Sequence, residues 1–154
     1  VEEAFSRYAP LSMAQALESD LFDEIMVRDI EPHLGIVQPV FLYDYPAIRG
    51  ALARLRADKP SLAERFELYI AGLELANGFS ELTDATEQRA RFLREEAYRR
   101  SLGKRPYPMP EKFLAELEEM PASAGIALGI DRLVLLFADV ASIDEVVAFT
   151  PEEL

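Results

Sequence analysis

The chain has 154 residues, half of them hydrophobic, with 16 basic and 28 acidic side chains, a net charge of −12 and no cysteine. Disulfides and thiolate metal sites are excluded, and the acidic balance counts against a nucleic-acid-binding domain, whose affinity comes largely from basic contacts to phosphates. No apolar run approaches the roughly 20 residues needed to span a bilayer, so the expectation is one domain with a substantial core, no membrane partner and a cytoplasmic location.

Taken in chain order, helices are expected over residues 1–8 and 13–33, where Leu17, Leu21, Phe22, Ile25, Met26 and Ile30 recur at helical spacing. Pro32 and Gly35 end that region, and His33, the only histidine, reads as a helix-end residue rather than a ligand. Residues 37–45 form a short β-like run closed by Pro46, and residues 50–63 a loop with a short helix, carrying Arg54 and Arg56. Residues 64–70 and 73–79, each rich in aromatic and aliphatic side chains, flank Ala71-Gly72, which signals a β-hairpin around a two-residue turn. Asp84 is a helix N-cap, with Glu87 placed for a capping box, and Gly103 stops that helix. Pro106, Pro108 and Pro110 force an extended connector, with Pro110 in the first turn of a helix reaching Glu119. Residues 125–129 read as a buried strand feeding an apolar helix that Asp131 caps, and residues 143–149 as a last helical turn and a possible closing strand. Tyr43, Tyr45, Phe66 and Phe92 read as core, while Asp139, Asp144 and Glu145 read as surface and capping residues.

The hairpin carries the chemistry. Pairing about Ala71-Gly72 sets Ile70 opposite Leu73 and Tyr69 opposite Glu74, so Glu67 and Glu74 share a face as diagonal neighbours roughly 7 Å apart. Two carboxylates held on one face repel unless a cation sits between them; the same pattern also describes an ordinary solvated acidic face. In the second segment, small residues alternate at Gly125, Ala127 and Gly129, which leaves room for something flat against the backbone. Arg132, in the first turn of the following helix, stands where the helix dipole disfavours a cation and so calls for an anionic partner. The basic residues Arg89, Arg91, Arg94, Arg99, Arg100, Lys104 and Arg105 are interspersed with Glu87, Glu95 and Glu96. They fit a salt-bridged helix face better than a docking surface for an acidic protein.

Together the two segments resemble the C-terminal half of the catalytic domain of class II aminoacyl-tRNA synthetases, lysyl type. Gly125-Ile-Ala127-Leu-Gly129-Ile-Asp131-Arg132-Leu133 is similar to the family's motif 3, whose arginine contacts ATP, and residues 74–84 are similar to its lysine-pocket segment. The resemblance runs from about Pro39 to Phe149. Residues 41–47 and 52–54 fit both the synthetases and their paralogues that modify elongation factor P with (R)-β-lysine. Lysyl-tRNA synthetases usually carry Gly where this chain has Ala76 and Ala127, and these two alanines, with the ending Val146-Val-Ala-Phe149-Thr, resemble the paralogues. The fold so implied is α/β (α+β), a mixed, mainly antiparallel sheet flanked by helices, with residues 1–154 forming the C-terminal portion of one catalytic domain truncated on its N-terminal side.

The resemblance also implies roles. The protein would be an ATP- and Mg²⁺-dependent ligase forming an aminoacyl-adenylate of β-lysine or lysine, with Glu67, Glu74 and Arg132 as its catalytic residues. Glu67 and Glu74 would hold Mg²⁺, Leu68 would meet adenosine through its backbone, and Gly129 would let the nucleotide approach. Arg132 would pair with the γ-phosphate or stack on adenine. Glu74 would also touch a substrate amino group, Asn77 would bind the substrate carboxylate and Glu81 the distal ammonium, with Phe79 walling the stem and Ala127 shaping the floor. The implied acceptor is a lysine of elongation factor P rather than tRNA, and the intact protein would be a homodimer. Motifs 1 and 2 of the family are not recognisable, so the chain is expected to be part of a longer protein and inactive alone. A lysyl-tRNA synthetase fragment and a non-catalytic, synthetase-like binding protein remain the alternatives.

Overall fold

The computed structural model describes residues 1–150. The expected span of 1–154 therefore runs past them, and its last four residues lie outside the described residues. The elements are helices α1 (Glu2–Tyr8), α2 (Met13–Glu18), α3 (Phe22–Ile25), α4 (Ala85–Ser101), α5 (Glu111–Leu117) and α6 (Ile130–Ala138), and strands β1 (Val40–Pro46), β2 (Leu62–Ile70), β3 (Leu73–Ser80) and β4 (Ala124–Leu128). The strands pair in the order β1-β2-β3-β4 as one antiparallel sheet, the architecture the sequence implies. The residues divide into two compact units. The first holds Val1–Asp44, Phe66–Gly78 and Ile126 onward, the second Tyr45–Arg65 and Phe79–Gly125.

In the first unit the expected helix over 13–33 is broken. Ser12 caps α2 in a reciprocal box with Gln15, but Asp20 takes a left-handed φ of 56°, which short polar side chains tolerate and a helix does not. The chain restarts as α3 and passes through a π turn (Met26–Ile30) into a 3₁₀ turn (Glu31–His33). Phe5 stacks on Phe22 with ring centroids 5.0 Å apart, and Ile25, Ile30 and Leu34 are buried. Each such fully buried side chain contributes about 1.5–3 kcal/mol.

The hairpin forms where expected. Ala71 and Gly72 both have positive φ, 53° and 78°, the primed-turn geometry whose twist matches that of the flanking strands. The turn is tied down by the chain that follows the 3₁₀ turn. Ala71 N donates to Gly35 O at 2.9 Å and Gly72 N to Leu34 O at 2.8 Å.

The segment after β4 departs from expectation. The strand is exposed along its whole length, because it ends the pairing order and has β3 as its one partner strand. The α6 N-cap is Gly129 rather than Asp131, which lies within the first turn. Asp139 closes α6 in the left-handed conformation, and Ser142 forms a capping box with Glu145. No closing strand follows among the described residues.

In the second unit Tyr45, Ala53, Leu62, Ala63, Leu82, Leu114 and Leu117 are buried. The loop after β1 carries its short helix at Ala47–Arg49, earlier than expected, followed by the bridges Ala53 to Glu81 and Leu55 to Ala63. Asp84 caps α4 by accepting from Glu87 N at 3.0 Å, while the Glu87 carboxylate turns to Arg91 at 2.9 Å instead of completing a box. Gly103 stops α4 at φ 68° as expected. Pro110 sits just before α5, not within it. Of the four aromatics expected in the core, Tyr45 is buried and Tyr43 is largely exposed, with Phe66 and Phe92 between.

Candidate active site

Alternation along β2 decides which side chains share a face, and burial decides what that face is. Glu67 and Tyr69 are 6% and 0% exposed, so Glu67 is not part of a solvated acidic face. Tyr69 Oη donates to Glu67 Oε2 at 2.7 Å and lies 3.3 Å from Glu31 Oε1. Burying a carboxylate costs several kcal/mol unless hydrogen bonds meet it, and the phenol supplies one. Glu31, on the 3₁₀ turn, has its carboxyl pushed above the ordinary glutamate range, first by burial and then by the charges of Glu67 and Glu74, against the Tyr69 hydrogen bond and Arg132. Glu31, Glu67, Glu74 and Arg132 are thus one electrostatic neighbourhood.

The anionic partner that Arg132 requires is Glu74. Arg132 Nη1 donates to Glu74 O at 2.7 Å and to Glu74 Oε2 at 3.3 Å. Both side chains are partly solvated, so the ion pair adds little stability and can be exchanged for another anion at small cost. Gly129 N donates to Leu75 O at 2.8 Å, which seats the start of α6 against β3. Between them lies a cleft of about 260 Å³ lined by Glu74, Ala76, Asn77, Ala127, Gly129 and Arg132, with Leu75, Asp131 and Ile143. Five residues expected in one site therefore meet in one cleft. A Cβ built on Gly129 would approach Leu75 O and Arg132 Cδ no closer than 3.5 Å, so internal packing does not demand glycine there.

Glu67 and Leu68 lie on β2 and do not line the cleft. Phe79 and Glu81 belong to the second unit, where both are half-buried. There the Glu81 carboxylate lies against Gly125, 3.2 Å from the position a Cβ would take. The basic helix α4 is largely occupied. Arg89 pairs with Glu111, Arg91 with Glu87 and the carbonyls of Ala51 and Ala53, and Arg100 with Glu96, while Arg99 lies over the Tyr107 ring.

Sequence reasoning missed Glu31, Tyr69 and Ile143. Tyr69 was within reach, two residues from Glu67 on the same strand face. Glu31, 38 residues from its phenol partner, and Ile143 carried no local signal. Among the described residues no group of three or more histidine, cysteine, aspartate or glutamate side chains is arranged to hold a metal. Magnesium needs fewer, since it binds through one or two carboxylates plus substrate phosphates; of the two glutamates expected to hold it, Glu74 lines the cleft and Glu67 is buried against Tyr69.

Residues 3–153 match the class II tRNA synthetases for D, K and N. The chain belongs to that family. It is similar to the elongation factor P–(R)-β-lysine ligase of Proteus mirabilis, at 46% identity over 84% of this chain and 40% of that protein. The ligase of the same name from Edwardsiella ictaluri is 48% identical over 79% of this chain and 38% of its own length, and that from Photorhabdus laumondii 44% over 91% and 44%. The chain therefore spans about two fifths of the length of the curated relatives it matches. No helix among the described residues is long and apolar enough to cross a membrane.

Proposed function

We propose that the protein carrying this chain uses ATP to activate (R)-β-lysine, or lysine, as an aminoacyl-adenylate, and ligates it to a lysine side chain of elongation factor P. The observation that carries this reading is the cleft where Arg132, Glu74, Asn77, Gly129 and Ala127 meet, in a chain whose similar relatives bear the ligase name.

In the first half-reaction the amino acid's carboxylate oxygen attacks the α-phosphorus of ATP and pyrophosphate leaves. In the second, the neutral amine of the acceptor lysine attacks the adenylate carbonyl, AMP leaves and one proton is released. Both anions of the first step must approach each other, so fixed cations decide its rate. Arg132 trades the Glu74 carboxylate for a phosphate, which a planar guanidinium binds through paired donors. Glu67 and the released Glu74 are the residues that would hold Mg²⁺, and bound there the ion would offset phosphate charge. Asn77 orients the substrate carboxylate, the Leu68 backbone meets adenosine, and Gly129 admits the nucleotide. Ala127 places a methyl on the cleft wall, which favours the β-amino acid, whose amino group sits one carbon further from its carboxylate. The work is positioning and electrostatics, with no covalent nucleophile on the protein.

The test is the mass of elongation factor P after incubation with the full-length protein, Mg-ATP and (R)-β-lysine, beside tRNA charging by lysine. A gain of one β-lysyl group without charged tRNA is expected. Charged tRNA with unmodified factor would make the protein a lysyl-tRNA synthetase, and neither product would favour a synthetase-like binding protein.

A further inference from the structure

Ile143 differs in kind from the other side chains of the cleft. Glu74, Asn77, Asp131 and Arg132 are polar, Ala76, Ala127 and Gly129 are small, and Leu75 is buried. Ile143 is 42% exposed, so it alone among the lining residues brings a large apolar surface within reach of a ligand. It arrives on a separate element, the 3₁₀ turn Ile143–Glu145, which packs against α6. The cleft therefore has two sides by origin. Ala76 and Asn77 come from β3 and Ala127 from β4, while Gly129 and Arg132 start α6 and Ile143 lies on the turn packed against it. In the proposed function Asn77 and Ala127 meet the amino acid, and Gly129 and Arg132 meet the nucleotide.

The main chain holds Ile143 in place without help from its side chain. Its carbonyl accepts from Val146 N at 3.0 Å and from Val147 N at 3.2 Å. Just before it, Ser142 N donates to Glu145 Oε1 at 3.1 Å and Ser142 Oγ accepts from Asp144 N at 3.3 Å, the capping box of the turn. A β-branched side chain is also stiff at χ1. Covering it with a ligand therefore costs little ordering, and a surface fixed in advance keeps more of the contact as affinity.

Phosphates and a carboxylate gain nothing from an aliphatic surface. The part of Mg-ATP that does is the flat base, tethered through ribose to the phosphates that Arg132 receives. We infer that Ile143 is a nucleotide-binding residue whose side chain covers a face of the adenine ring. The inference rests on the proposed function and adds to it the apolar contact that seats the base. Isoleucine has no side-chain donor or acceptor, so the contact acts through the ring face, far from the reacting phosphorus. It is made equally in the ground and transition states, and its loss belongs in KM for ATP rather than in kcat.

The experiment titrates the full-length protein with Mg-ATP and, separately, with magnesium tripolyphosphate, which has the phosphates without the base. Ile143→Ala and Ile143→Asn should each weaken Mg-ATP about tenfold, the scale of losing part of a buried aliphatic side chain, and leave tripolyphosphate unchanged. In ATP–pyrophosphate exchange the same variants should raise KM for ATP by a similar factor, with kcat and KM for (R)-β-lysine little changed. Equal weakening of the two ligands would make Ile143 a support of the cleft as a whole and overturns the inference. So does unchanged ATP affinity, and a rise confined to KM for β-lysine would move Ile143 to the amino-acid stem. Where tripolyphosphate binds too weakly to titrate, the split between the two KM values decides. Wild-type protein that binds Mg-ATP through Ile143 but exchanges with neither lysine nor β-lysine would refute the proposed function and leave the base contact standing; wild-type protein that binds no Mg-ATP refutes both.

Discussion

Replacing Gly35 with alanine isolates the contact that presses the 31–35 segment onto the hairpin. Gly35 has φ +71°, and a Cβ built there collides with Tyr69 O and falls 2.7 Å from Tyr69 C and 2.8 Å from Ile70 Cα. A left-handed backbone costs an ordinary L-residue about 1–2 kcal/mol. The overlap is with main chain, which cannot rotate away, so the forced shift adds about 1–3 kcal/mol by the cost of overpacking. It also threatens the two hydrogen bonds to the turn, each worth about 1 kcal/mol. The expected loss is about 2–5 kcal/mol, or about 1–2.5 M in urea midpoint for a slope of about 2 kcal/mol per molar. Gly103→Ala is the control, since its φ is +68° with nothing within 4 Å of the added methyl, and it should show the backbone cost of about 1–2 kcal/mol alone. The assay is urea unfolding followed by circular dichroism and Tyr fluorescence. Equal losses for the two variants would refute the claim that the segment is clamped on Tyr69.

Ala71→Asn should raise the thermal midpoint, with a gain of about 0.5–1 kcal/mol, because Ala71 is exposed at φ 53° where asparagine is favoured in a primed turn. Glu31→Gln and Glu64→Gln should show opposite pH dependence in urea unfolding. Folding raises the Glu31 carboxyl value, so the wild-type contribution is full below the ordinary glutamate range and is lost as pH rises through the raised value; the variant should gain on wild type as pH rises above the ordinary glutamate range. Folding lowers that of Glu64, chiefly through its hydrogen bond from Arg54. Its contribution is present above the ordinary range and lost as pH falls through the lowered value, so Glu64→Gln should cost most near neutrality. Ala127→Gly in the full-length protein should improve use of α-lysine relative to β-lysine by about 10-fold in pyrophosphate exchange, the scale of one methyl in a pocket, and unchanged selectivity would remove Ala127 from the specificity argument.

Local chemistry made much of the fold legible. A two-residue Ala-Gly turn between strand-like runs, an aspartate ahead of a long helix and a glycine after it all act through neighbours within four residues, and all three appear where the pattern puts them. Five of the residues expected in a site, Glu74, Asn77, Ala127, Gly129 and Arg132, line one cleft because two short motifs carry them, and β3 and the start of α6 bring those motifs together. Where expectation failed, a competing local preference or a tertiary fact won. Asp20 broke a helix whose apolar spacing was otherwise regular, and the apolar run at 125–129 became an exposed edge because hydrophobicity cannot say which strand lies beside it.

By itself, then, the sequence determined the hairpin turn, the Asp84 cap and Gly103 stop of α4, the family, and the fact that Glu67 and Tyr69 share one strand face. It could not determine which face of β2 is buried, since alternation is symmetric until something packs against one side. The tertiary structure decided that Glu67 is an interior carboxylate rather than a solvated one, and it brought Glu31 to Tyr69 across 38 residues of chain. A contact of that separation depends on the path of everything between, through a broken helix and a glycine with no room for a methyl group, and no local rule contains it.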